Sequence, residues 1–378
     1  MTHSNISASA KFRANCPALE QLSWLDTPGS PPGARPVIEA VRNALTSWED
    51  GSFSWVEWDE SVNIAREKLA ILAETSPECI ALVGSLSEAA AIVAAAVPAS
   101  GKIVVASDDF RSNLFPWLAQ TSRGVEIVTP PEGGTATLTE RILSVVVPGI
   151  DLVAISSAVS STGARPDYAK IIKHAHQVGA RVFLNVTQSF GVYQHHLSEL
   201  NADYVAAHAY KWMLAPRGCA WLSVRPDRLS ELEPLAPGWH SVHHPNQSYV
   251  GSEPFSPDAR RLDGGLAWLP WIGGIAALDV LLSLDFDQLG EHVFSLVSRT
   301  RAGLESLGLS LEEIDQPSQI IRIYSDMSPQ IVTNLKRAGV KTSGGDTSFR
   351  IGIHGFNSEQ DIDRFLNSVR ETVQSIGG

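Results

Sequence analysis

Apolar and polar positions along the middle of this chain alternate between two rhythms. Compact apolar runs at 102–107, 152–157, 181–186, 204–207 and 219–224 read as buried strands. Between them, stretches at 87–97, 139–146 and 166–178 are of helix length and read as helices. An earlier short strand ends at Val83, before Gly84 and an alanine-rich helix start. Strands alternating with helices predict a mostly parallel sheet covered on both faces, the α/β class. The character changes towards the C-terminus, where the pattern predicts a helix at 286–307, a strand at 320–324, a helix at 329–338, a strand at 348–354 and a helix at 358–375. That tail is an α+β unit of its own.

A chain of 378 residues exceeds what one hydrophobic core usually organises, so two domains are expected. Hydrophobic content of 44% with 19% charged residues is ordinary for a globular protein. The net charge of −12, with no basic cluster, argues against a nucleic-acid partner. Cys16, Cys79 and Cys219 are odd in number and far apart, so no disulfide framework is implied. Met1-Thr2-His3-Ser4-Asn5 lacks the regions of a signal peptide, and the apolar stretch 89–97 stops at Pro98, too short to span a membrane. A cytoplasmic location is the default expectation. No GxGxxG follows a strand, which disfavours a dinucleotide site. His240, His243 and His244 lie between Gly238 and Pro245 and read as a surface loop, so no metal is expected.

Chemistry concentrates at Lys211. It follows Tyr204-Val205-Ala206-Ala207-His208-Ala209-Tyr210 and opens the turn Trp212-Met213-Leu214-Ala215-Pro216-Arg217-Gly218. A lysine among apolar neighbours loses hydration, its pKa falls, and as a neutral amine it can attack a carbonyl. A Schiff base with an aldehyde cofactor is one use; a stem packed on apolar surface with its ammonium in water is the other. Upstream, the strand at 181–186 ends in polar residues, where α/β proteins place ligand-binding groups.

Asn185-x-x-Gln188 followed by Lys211-Trp212-Met213-x-x-Pro216-Arg217-Gly218 resembles the motif pair of the class V aminotransferase family. These are fold type I pyridoxal-phosphate enzymes, among them cysteine desulfurases, kynureninases and isopenicillin-N-epimerase-like proteins. The family pattern has Asp at the position of Asn185 and Leu at that of Met213. The resemblance implies a large domain at 36–275 with a mostly parallel seven-stranded sheet. It adds a small α+β domain at 276–378, joined by an N-terminal segment, 1–35. It further implies pyridoxal 5′-phosphate as cofactor, an amino-acid-type substrate, and a homodimer with sites near the subunit interface.

On the same resemblance the cofactor phosphate sits at Ser85-Leu86-Ser87, received by the two hydroxyls and the Leu86 backbone N–H; simple helix capping by Ser85 or Ser87 is the alternative. Tyr210 would contact the phosphate, with His208 in the same region. Phe110, in Asp109-Phe110-Arg111-Ser112-Asn113, would stack on the ring, with Asn113 towards substrate. Thr162, in Ser160-Ser161-Thr162-Gly163, would sit close to the ring oxygen or substrate, and Gln188 would hydrogen-bond that oxygen. Lys211 would hold the cofactor as a Schiff base and then act as base at Cα. Arg350 would receive the substrate carboxylate, in a segment resembling Arg-x-Ser-x-x-x-x-Asn with Gly352 in place of Ser and Asn357 at its end. Leu266 stands where desulfurases carry a Thr that reaches a phosphate across the subunit interface.

Asn185 would face the pyridine nitrogen. A carboxylate there keeps the ring protonated as an electron sink, whereas an amide carries no charge and can donate to an unprotonated nitrogen. Two readings follow, an enzyme with a weaker sink or a degenerate site. No Cys lies between Ile320 and Arg350, where a desulfurase carries its persulfide-forming thiol. The branch resemblance therefore points to a β-eliminating C–S lyase acting on a cysteine S-conjugate. Transamination, epimerisation, decarboxylation-linked oxidative deamination and cofactor binding without turnover are the alternatives.

Overall fold

The computed structural model describes residues 7–133, 136–245, 250–316 and 318–377, so the N-terminal pentapeptide and 246–249 lie outside the described residues. The main sheet has seven strands: β1 (Ile80–Val83), β2 (Lys102–Val105), β3 (Glu126–Val128), β4 (Leu152–Ser156), β5 (Arg181–Asn185), β6 (Tyr204–His208) and β7 (Ala220–Val224). Their order is β1-β7-β6-β5-β4-β2-β3, and β7 alone runs against its neighbours. Every residue of β1, β4, β6 and β7 is buried, which is why these strands read as unbroken apolar runs. The edge strand β3 is short and half-exposed, and the apolar pattern does not reveal it.

Chain order reverses between β2 and β4, since β3 lies outside β2 while β5 and β6 extend the sheet the other way. Such a switch point leaves a crevice at the C-terminal strand ends, where open α/β sheets bind ligands. The helix Leu86–Ala95 covers one face with its buried side. On the other face, helices Arg35–Glu49 and Trp55–Ala73 pack against the apolar helix Trp268–Leu282. Among the described residues, no single helix is long and apolar enough to cross a membrane.

A second, antiparallel sheet takes the order Ser343–Gly344, Ser348–Gly352, Ile320–Tyr324, Ser310–Leu311. Its apolar residues form one core with helices Phe286–Ser306, Ser328–Arg337 and Glu359–Gly377. The N-terminal segment joins this unit: Ser23–Trp24 pairs with Val340–Lys341, Asp26 bridges to Gly352, and Arg13 Nη1 meets Asp361 at 2.6 Å. Gly163 (φ +79°) lets the loop after β4 reach the same unit, because an added Cβ would lie 2.2 Å from the Ile320 carbonyl oxygen.

Candidate active site

Lys211 sits just past the end of β6, in a turn closed by Leu214 N–H donating to the Lys211 carbonyl at 3.0 Å. Leu214 holds φ +62°, a left-handed conformation that β-carbon sterics disfavour and surrounding packing must enforce. Lys211 is only 4% exposed. Burial pushes its pKa down to about 8, the Arg350 and Arg217 guanidiniums add to the shift, and Asp26 opposes it. Its Nζ lies 5.2 Å from the centre of the Phe110 ring and 5.7 Å from that of Tyr210. The pocket around it is walled by Leu86, Phe110, Asn185, Gln188, His208 and Tyr210, five of them from the C-terminal strand ends and Leu86 from the helix start.

A buried polar chain runs through the wall of this pocket. Asp109, buried in the pocket wall, accepts from Asn113 Nδ2 at 2.7 Å, from Ser156 Oγ at 2.8 Å and from Phe110 N–H at 2.6 Å. Burial raises its pKa, and the three donors pull the other way. Ser156 Oγ in turn accepts from Asn185 Nδ2 at 2.9 Å. The Asn185 carbonyl oxygen accepts from Thr187 N–H at 3.0 Å, and Thr187 Oγ1 accepts from His208 N–H at 3.0 Å. Burial lowers the His208 pKa to about 4, with Lys211 adding to the shift, and its Nδ1 has no hydrogen-bond partner among the described residues.

Gln188 is tied on both sides. Its Oε1 accepts from Trp212 Nε1 at 2.8 Å, while Nε2 donates to Ser160 Oγ at 3.0 Å and to the Pro28 carbonyl at 3.3 Å. Trp212 is itself pinned, since its carbonyl bonds His354 Nε2 at 2.9 Å. Arg350 crosses from the second sheet and donates to the Ser160 carbonyl and hydroxyl, with Asp26 Oδ1 at 3.9 Å.

Several residues take other roles than their motifs suggest. Ser85 caps its helix, accepting from Glu88 N–H at 3.1 Å. Ser87 donates to the Ser112 carbonyl at 3.3 Å, and the reason is Pro116: lacking an N–H, it leaves that carbonyl without its helical donor. Only Leu86 of this trio walls the pocket. Thr162 accepts from Ala164 N–H at 3.1 Å within its own loop, and Ser160 stands at the pocket wall instead. Asn113 is 0% exposed and holds Asp109 from behind, so substrate does not reach it. Asp109, Ser156, Ser160, Thr187 and Asp26 are the residues that motif reading passed over. The signal for Asp109 was its place directly before Phe110 at a strand end; Asp26 gave none. Gly352, where the motif has Ser, is explained by Pro28, whose Cδ would lie 2.2 Å from an added Cβ.

The family model described as aminotransferase class-V matches residues 23–365. A probable cysteine desulfurase of Methanothermobacter thermautotrophicus is 26% identical, with 97% of each chain covered. Isopenicillin N epimerase of Streptomyces clavuligerus is 29% identical over 57% of each. The solved cystine C-S lyase C-DES, captured with its reaction product cysteine persulfide, superposes with a TM-score of 0.84 at 19% identity, covering 94% of this chain and 99% of that one. A mutant of C-DES carries glycine covalently linked to its PLP cofactor.

The pocket suits that cofactor. A desolvated lysine with a pKa near 8 is matched to an aldehyde, and Phe110, 47% exposed, offers an aromatic face to a ring. Asn185 and the orphaned His208 Nδ1 supply polar groups at the rim, and the helix beginning at Leu86 supplies backbone N–H groups for a phosphate.

Proposed function

The chain belongs to the class-V aminotransferase family and is a pyridoxal-phosphate-dependent amino-acid enzyme; from that premise we propose that it is a β-eliminating C–S lyase acting on cysteine S-conjugates. The observation that carries this reading is the state of its thiols. Cys16 and Cys219 are buried, burial pushing Cys16 up to about 12 and Cys219 higher still, and Cys79 lies in the turn Pro77–Cys79 that leads into β1, away from the strand ends that form the pocket. No thiolate is placed to take sulfur from a substrate, so sulfur has to leave with the product.

In this reading Lys211 holds the cofactor's aldehyde, Phe110 stacks on the ring, and the Leu86 and Ser87 backbone N–H groups, with Tyr210 and His208, receive the phosphate. Gln188 and Asn185 stand at the ring edge, with Gln188 giving up one present bond to reach it. When bound, the cofactor supplies an electron-accepting ring conjugated to Cα. Arg350 grips the substrate carboxylate as a charged fork. Lys211 Nζ takes the Cα proton, and the β-sulfur departs as thiol, leaving pyruvate and ammonia after hydrolysis. Epimerisation and transamination demand a longer-lived charge at Cα, which the neutral Asn185 serves less well than a carboxylate.

The same reading divides the chain into 1–35 with 276–378, set against 36–275, and makes it a cytoplasmic homodimer. The exposed Ile38, Leu45 and Trp48 on the helix Arg35–Glu49 support association. The deciding experiment offers the cofactor-loaded protein a panel of cysteine conjugates and plain amino acids, with product analysis by mass spectrometry. Pyruvate with released thiol, absent in Lys211→Ala, is expected. Amino-group exchange or inversion without pyruvate would assign the chain to another branch.

A further inference from the structure

Asn185 lines the pocket, and its amide orientation is fixed by the groups behind it. Its oxygen accepts from Thr187 N–H at 3.0 Å, and its Nδ2 donates to Ser156 Oγ at 2.9 Å. A flipped amide would face Nδ2 against the Thr187 N–H, donor against donor. It would also require Ser156 to donate to the Asn185 oxygen, and Ser156 has one proton. That proton is committed to Asp109, because Ser156 Oγ already accepts from Asn185 at 2.9 Å and from Asn113 Nδ2 at 3.3 Å. Surrendering it would leave a buried carboxylate short of a donor, a costly state in a low-dielectric interior.

We propose that Asp109 is the positioning residue for the cofactor's pyridine nitrogen: acting through Ser156, it locks the Asn185 amide so that only an N–H is left for the pocket. One Nδ2 hydrogen goes to Ser156 and the second remains. A ring nitrogen facing that hydrogen presents its lone pair, and therefore stays unprotonated. Asp109 thereby sets the electronics of the ring nitrogen through two oriented neutral side chains, Ser156 and Asn185. The inference rests on the reading that Asn185 faces the pyridine nitrogen.

The test loads wild type, Ser156→Ala, Asp109→Asn and Asn185→Asp with pyridoxal 5′-phosphate labelled with 15N in the ring. It records the 15N chemical shift and the equilibrium affinity for the cofactor, with circular dichroism confirming the fold. Wild type is expected to show an unprotonated, hydrogen-bonded ring nitrogen, and Asn185→Asp a protonated one. Ser156→Ala and Asp109→Asn should both move the shift towards a pyridine nitrogen without a fixed donor and weaken cofactor binding about three- to ten-fold, the loss of roughly one hydrogen bond. A protonated nitrogen in wild type overturns the proposal, even if both relay variants fail to fold. So does a wild-type shift in Ser156→Ala or Asp109→Asn when Asn185→Asp changes it. If Asn185→Asp also leaves the shift unchanged, Asn185 does not face the ring and the underlying site reading fails with it.

Discussion

Trp212 Nε1 donates to Gln188 Oε1 at 2.8 Å, joining the residue after the lysine to the polar end of β5. Both side chains are buried. Trp212→Phe keeps an aromatic body and leaves the glutamine oxygen without its donor. It is expected to cost about 1–3 kcal/mol of stability and to loosen Gln188 at the pocket wall. Denaturant unfolding measures the first effect, and unchanged stability would mean the bond contributes nothing net.

The depressed pKa of Lys211 sets a pH window. The neutral fraction of this amine grows as pH rises through about 8, so the rate of cofactor incorporation, followed by absorbance, should climb there and not near 10.5. Arg350→Gln removes the second-largest cause of the shift and should move the curve to higher pH. Between about 8 and 10.5 the unfolded chain binds the extra proton, so this group's contribution to stability rises with pH across that window.

Arg350→Ala should raise the substrate KM about ten- to hundred-fold, the loss of a charged hydrogen bond, while cofactor affinity stays near wild type. Equal losses in both would contradict the carboxylate role.

Gly352→Ser would restore the residue the family motif carries at that place. Here its Cβ would meet Pro28 Cδ at 2.2 Å and Trp212 Cη2 at 3.3 Å. Overpacking against a proline ring is expected to destabilise by about 1–3 kcal/mol, read as a lower thermal midpoint. A variant as stable as wild type would show that the N-terminal segment yields easily.

Three buried histidines make the fold sensitive to acid. Burial holds His195 and His354 at about 3 and His208 at about 4, against an ordinary 6.5. Below 6.5 the unfolded chain takes protons that the native state refuses, so stability falls on acidification by roughly 1.4 kcal/mol per pH unit for each group. Guanidinium midpoints between pH 7.5 and 5.5 should drop clearly, and a flat profile would refute the burial argument.

The strands β4 to β7 were legible because burial on both faces writes an unbroken apolar run, and Lys211 stood out against that background. β3 was not legible, since an edge strand with an exposed residue carries no such run. The partners of Asn185 escaped for a different reason. Asp109 and Ser156 follow β2 and end β4, strands that are neighbours in space and separated by β3 in sequence. Their hydrogen bonds are a property of sheet order, which local pattern does not encode. The motif points Asn113 towards substrate, but its place four residues after Asp109 at the helix start turns it inward to that carboxylate. Asp26 and Pro28 come from a distant part of the sequence, and the pairing of Ser23–Trp24 with Val340–Lys341 and the bridge of Asp26 to Gly352 bring them to the site.

That pairing has a consequence for how the protein is made. The segment around Ser23–Asp26 is synthesised long before its partners, Val340–Lys341 and Gly352. Through most of translation Asp26 and Pro28 have no seat, Arg350 does not yet exist, and Lys211 lacks the cation that helps to depress its pKa. Burial is the largest cause of that depression, and the guanidinium of Arg350 adds to it once this late segment has docked. Chain closure, in effect, gives the nucleophile its last adjustment.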